Sequence, residues 1–182
     1  MNRLKERYIK EIVPALISEF GYGNINQVPR VEKVIINAGV GRATADSKHL
    51  EAVVATLATV SGQAPVTTKA KKSVAAFKLR EGNAIGAMTT LRGERMYAFL
   101  DRLVAVTLPR IRDFRGISPT AFDAHGNYSL GITDQTIFPE VTYEDASKSH
   151  SLQVNIITTA KTQAEGQKLM ELIGFPFRRD NG

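Results

Sequence analysis

The chain has 182 residues, 43% of them hydrophobic and 23% charged, with a net charge of +6 and a pI near 9.7. That length can bury a core as one domain or two small ones, and the basic balance favours an anionic partner: nucleic acid, an anionic membrane or an acidic protein. The absence of cysteine excludes disulfides, thiolate chemistry and zinc-finger sites.

The N-terminal segment MNRLKERYIKEI is too densely charged for a secretory signal. The longest uncharged run, Ala52 to Thr68, is interrupted by Gly62, Gln63 and Pro65, so it predicts no membrane span. The expectation is a soluble, cytoplasmic protein with no membrane partner.

Leu4, Tyr8, Ile12, Leu16 and Phe20 recur as one helical stripe. Pro14 predicts a kink or a break into two short helices, and Gly21 and Gly23 end the run. Pro29 introduces a strand over Val31 to Ala38, with Glu32, Val34 and Ile36 on one face and Lys33, Ile35 and Asn37 on the other. Asp46 reads as the N-cap of a helix to Ser61, with Leu50, Val53, Val54, Leu57 and Val60 turned inward.

A short strand around Pro65 to Thr68 leads into a basic loop. Gln63 to Arg80 carries Lys69, Lys71, Lys72, Lys78 and Arg80, no acidic residue, and Phe77 among the charges. Glu81 to Gly86, with two glycines flanking small residues, predicts a mobile tip. Ile85 to Arg92 alternates as a strand with Gly86, Met88, Thr90 and Arg92 on one face.

A helix follows from Glu94 to about Leu108, with Met96, Phe99, Leu100 and Leu103 packed in and Pro109 at its end. Pro109 to Ser118 is irregular, Phe122 to Thr133 is a turn and strand, and Val141 to Tyr143 is expected to pair nearby. Leu152 to Thr159 is a strand with Leu152, Val154 and Ile156 inward. Thr162 and Glu165 form a capping box for a last helix carrying Leu169, Leu172 and Ile173, which Gly174 caps and Pro176 stops. Helices interleaved with half-polar strands predict an α+β fold: a mainly antiparallel sheet with helices packed on one face, leaving an open face and loops for a ligand.

The candidate chemistry is that of a polyanion surface. Lysines and arginines neutralise phosphates, hydroxyls such as Thr67 and Ser73 bond to phosphate or sugar, and Phe77 can stack on a base. The plain alternative is a solvated basic loop. Arg110, Arg112 and Arg115 suit bidentate phosphate contacts or, equally, ion pairing with Asp113 and nearby acids. Asn37, Gln63 and Thr90 could read RNA edges from an open sheet face, or be ordinary exposed polar positions.

Gly39-Val40-Gly41 after a strand offers a phosphate loop for a nucleotide-dependent enzyme, but Thr44 stands where a third glycine belongs. His49, His125 and His150 have no metal-ligand spacing, so no metal or other cofactor is expected. Asp123 with His125 reads as a surface turn rather than part of a triad, and Glu140, Glu144 and Asp145 as a solvated acidic patch.

Seven strings run in order along the chain: VPRVEKVIINAGVG (28–41), SGQAPVTTKAKKSVAAFKLREG (61–82), TLRGERM (90–96), LPRIRDFRGIS (108–118), GNYSLGI (126–132), IFPEVTY (137–143) and GFPFR (174–178). They closely resemble the family of bacterial large-subunit ribosomal protein five, the L-five proteins that bind 5S ribosomal RNA. The resemblance implies a non-enzymatic ribosomal protein forming a single domain over 1–182, with a family N-terminal part at about 24–80 and a C-terminal part at about 84–178.

It further implies a place in the central protuberance holding 5S rRNA against 23S rRNA beside other 5S-associated proteins. A loop would reach the elbow of P-site tRNA, and a bridge would form to small-subunit ribosomal protein thirteen. Carried onto this chain, rRNA contacts fall at Asn37, Gln63, Thr67, Lys69, Lys71, Lys72, Ser73, Phe77, Thr90, Arg92, Arg95, Arg110, Arg112 and Arg115. The tRNA contacts fall at Lys78, Arg80, Gly82, Asn83 and Ala84, with the loop tip near Gly82 to Ala84. Ala64, Met88, His125 and the segment His150 to Gln153 stand where the family often carries basic residues. That predicts fewer counterions released on RNA binding than for a more basic relative. A general RNA chaperone is the remaining rival.

Overall fold

The computed structural model describes residues 2–41, 47–141 and 150–178. The stripe at the N-terminus forms helix α1 (Arg3–Arg7) and helix α2 (Val13–Phe20), joined by a π-helical turn over Tyr8–Ile12. Pro14 causes this. It lacks an N–H and its ring crowds the carbonyl four residues back, so the chain widens by one residue and the Val13 amide donates to Tyr8 O. The regular helix breaks as Pro14 predicts, but the rod continues. Asn2 caps its start by accepting from the Leu4 amide at 2.8 Å, and Gly21 ends it at φ 68°.

Strand β1 (Val31–Gly39), helix α3 (Ser47–Ser61), strand β2 (Val66–Lys69) and strand β3 (Ala84–Leu91) follow. Helix α4 (Gly93–Arg102) passes through a second π-helical turn, Leu103–Thr107, ahead of Pro109. Strand β4 (Tyr128–Ile132), strand β5 (Leu152–Thr158) and helix α5 (Gln163–Ile173) complete the chain. Val141 lies in no strand, and Tyr143 lies outside the described residues, as do Asp46, Glu144 and Asp145.

The strands form a five-stranded antiparallel sheet in the order β2-β3-β1-β5-β4. Alternation sets its two faces. Val34, Ile36 and Ala38 of β1, Ala87, Thr89 and Leu91 of β3, Tyr128, Leu130 and Ile132 of β4, and Leu152, Val154 and Ile156 of β5 are buried. Their neighbours Lys33, Ile35, Asn37, Met88, Thr90, Ser129, Gln153 and Asn155 are half-buried or exposed. The fold is thus α+β with one covered face, the arrangement the strand patterns predict.

The described residues group into two compact units, and β1, β4 and β5 contribute to both. One unit comprises residues up to Val34, Arg92–Leu130 and those from Asn155. In it α1 and α2 pack on α4 and α5. Arg3 Nη2 pairs with Asp101 Oδ1 and Lys5 Nζ with Glu94 Oε1, both at 2.7 Å, while Lys168 Nζ pairs with Glu19 at 3.0 Å. Arg7 Nη2 donates to Leu172 O at 3.0 Å and so satisfies a carbonyl at the end of α5. Thr162 caps the start of that helix by accepting from the Glu165 amide. The Glu165 carboxylate accepts in turn from the amide of Lys161, one residue before the position a capping box predicts.

The other unit comprises the described residues of Ile35–Leu91 and Gly131–Val154, with α3 packed on β3. Gly86 is forced by a close approach: a Cβ there would meet Ala38 O at 2.7 Å and Thr68 Oγ1 at 2.8 Å. The ladder pairs Thr68 with Gly86 but Lys69 with Ala84, so a bulge bends the strands where they leave the sheet.

Candidate nucleic-acid interface

Between β2 and β3 the basic loop forms a hydrogen-bonded hairpin. At its neck the Ala70 amide donates to Asn83 O at 2.8 Å and the Gly82 amide to Ala70 O at 2.9 Å. Further out, Val74 and Leu79 exchange backbone bonds of 2.9 and 3.1 Å. Ser73 Oγ accepts from the Glu81 amide at 2.9 Å. Ala75–Phe77 form a single 3-10 turn, and Lys78 closes it in the left-handed region at φ 50°.

This corrects the expected tip. Gly82 and Asn83 form the neck, Ala84 begins β3, and the turn lies at Ala75–Lys78. The segment 71–74, expected to serve rRNA, and the segment 79–83, expected to serve tRNA, lie side by side in one hairpin.

Lys69, Lys71, Lys72, Lys78 and Arg80 are all exposed, and none takes part in an ion pair among the described residues. This contrasts with Arg3, Lys5 and Lys168, whose charges are neutralised by carboxylates of their own unit. Clustered like charges repel one another, and a polyanion relieves that repulsion while releasing its own counterions. A recess of about 380 Å³ on the hairpin is lined by Ser73, Ala75, Lys78, Leu79 and Arg80.

The polar sheet residues divide. Asn37 and Thr90 are half-buried on the open face. Gln63 is committed to the protein, since its Nε2 donates to Thr90 O at 3.1 Å and fixes the end of α3 to β3. Thr67 pairs with Ala87, whose side chain is buried, so Thr67 lies on the opposite face from Thr90 although it is exposed at the sheet edge. Val66 pairs with Met88 on the open face and is 65% exposed. Nothing in the sequence singles it out, because a lone valine between Pro65 and Thr67 carries no signal.

In the other unit, Arg92 holds the N-cap position of α4 and Arg95 follows in its first turn, both exposed. Arg110, Arg112 and Arg115 are exposed, and among the described residues none pairs with Asp113. Among the described residues these arginines show no ion pair with nearby acids either. Asp123 does form a surface turn. Its Oδ1 accepts from the amides of His125 and Asn127 and its Oδ2 from Asn127 Nδ2. Partial burial opposes ionisation there, but these hydrogen bonds outweigh it and hold the carboxyl below its ordinary range.

Gly39 to Gly41 do not form the phosphate loop of a parallel β-α-β unit that the rival reading as a nucleotide-dependent enzyme needs. The strand before them belongs to an antiparallel sheet and is not adjacent to β2, and the Val40 amide is bonded to Ile85 O at 2.8 Å. Among the described residues no cluster of His, Asp and Glu could hold a metal, and no helix is long and apolar enough to cross a membrane.

Compared with known families, residues 24–80 match the family model Ribosomal protein L5, and residues 84–177 match the separate model for the C-terminus of the same ribosomal family. The boundary between the two falls at the hairpin neck, and the second match alone spans more than half of the chain. The chain belongs to the ribosomal protein L5 family, whose members are structural, non-enzymatic constituents of the large subunit of the cytoplasmic ribosome.

Proposed function

We propose that this protein binds 5S rRNA and helps attach it to 23S rRNA in the central protuberance. In this reading its basic hairpin touches P-site tRNA, and its second half contacts small-subunit ribosomal protein thirteen. Other 5S-associated proteins are its neighbours. The observation that carries the proposal is the hairpin: exposed cations with no ion pair among the described residues, on a backbone tied by its own hydrogen bonds. Electrostatic capture by Lys69, Lys71, Lys72, Lys78 and Arg80 would be joined by Arg92, Arg95, Arg110, Arg112 and Arg115. Hydrogen bonds from Asn37 and Thr90 would then set register.

The experiment is replacement of 71–82 by a short glycine-serine turn, with large subunits assembled around the shortened chain. Weakened 5S rRNA retention together with weakened P-site tRNA binding is expected. Unchanged tRNA affinity would remove the tRNA contact, and undiminished 5S rRNA would move the main rRNA anchor off the hairpin.

A further inference from the structure

We propose that the apex of the hairpin is a receptor for a single unpaired nucleotide. Its base stacks on Phe77, and its phosphate lies in the recess beside Lys78 and Arg80. The inference rests on the RNA-binding reading above and specifies what kind of RNA the apex takes.

Phe77 is 74% exposed, the most exposed large apolar side chain among the described residues. Its neighbours Ala75 and Ala76 are too small to cover the ring. An aromatic face left in water at a turn gains from any flat apolar partner. The turn that presents it is held on both sides. Val74 and Leu79 close the backbone beneath it, and Lys78 adopts φ 50°, a conformation that non-glycine residues enter at a cost. The paired backbone on both sides holds the turn that carries Phe77, so little backbone freedom is lost when a base lands on its ring.

The recess beside the apex supplies the second half of the receptor. It is lined by two cations, Lys78 and Arg80, and by Ser73, with no acidic side chain. The Ser73 oxygen accepts from the Glu81 amide, while its hydroxyl proton is committed to no partner among the described residues. Two positive charges and a hydroxyl donor match a phosphodiester.

The ring has no donor or acceptor, so it takes any base. A duplex interior hides its base faces, so only an unpaired or terminal base can stack. The apex therefore selects loops over helices without reading sequence.

The chain contains no tryptophan, so F77W places a single indole at the apex. Full-length F77W is titrated with an unlabelled stem–loop RNA and, at equal nucleotide concentration, with a long duplex in which end base pairs are scarce. Quenching of the indole by the stem–loop, and little change with the duplex, is expected. Phe77→Ala should weaken stem–loop binding about 5- to 150-fold, the range for losing one base–aromatic stack, with an unchanged salt slope because no charge is removed. Phe77→Tyr should retain affinity. An F77W emission unaltered at saturating RNA overturns the proposal, as does a Phe77→Ala chain that binds like wild type. If the wild-type chain binds neither RNA, the RNA-binding reading itself falls and takes the receptor with it.

Discussion

Val74 and Leu79 face each other across the basic hairpin and exchange two backbone hydrogen bonds, of 2.9 and 3.1 Å. With the Ala70–Asn83 bond at the neck, they make a structured arm out of a segment that composition alone marks as a charged loop. The cations on that arm are exposed, and none is ion-paired among the described residues.

The two classes of cation should separate in a salt series. Lys71→Ala should weaken RNA binding and reduce the log–log salt slope by about 0.7 to 0.9. Arg3→Ala should leave the slope unchanged, because Arg3 is already paired with Asp101 at 2.7 Å. Equal slopes for wild type and Lys71→Ala would remove that lysine from the interface.

Gln63 should act through stability before it acts through RNA. Gln63→Ala deletes the bond to Thr90 O and is expected to destabilise the fold by about 0.5 to 1.5 kcal/mol. Denaturant titration checks this. An unchanged midpoint with lost RNA affinity would instead make Gln63 a direct contact.

Gly166 lies against the backbone of Gly126, which itself sits at φ 74°. A methyl at Gly166 would collide with the Gly126 carbonyl, so Gly166→Ala should destabilise by roughly 1 to 3 kcal/mol, as overpacking does. Thermal unfolding measures it, and wild-type stability would show that the turn can yield.

Acid should loosen the turn before β4. The Asp123 carboxyl is held below its ordinary value of 3.8, so its contribution is fully present above that value and is lost as pH falls through the lower folded one. Asp123→Asn should lower stability at neutral pH and flatten the acid limb of the stability profile. An acid limb identical to wild type would assign the pH dependence to other carboxylates.

Strands and helices are readable where alternation or helical period is strong, as in β1, β5 and α3. The hairpin apex is not. Gly82 and Asn83 look like turn residues, and Gly82 does adopt φ 87°, but at a neck fixed by pairing with Ala70. The true turn, Ala75–Lys78, has neither glycine nor proline, and Lys78 enters the left-handed region without a residue that advertises it. Thr67 and Gln63 show the same limit. Which face an edge residue takes depends on the β2–β3 register, and a glutamine on a strand end does not reveal that its partner is a backbone carbonyl.

The most direct test of the account is affinity of the full chain for 5S rRNA against an unrelated structured RNA of equal length, across a salt series. Tight, 5S-selective binding with a steep negative slope is predicted. Equal affinity for both RNAs at every salt concentration would contradict it and leave a general RNA chaperone in its place.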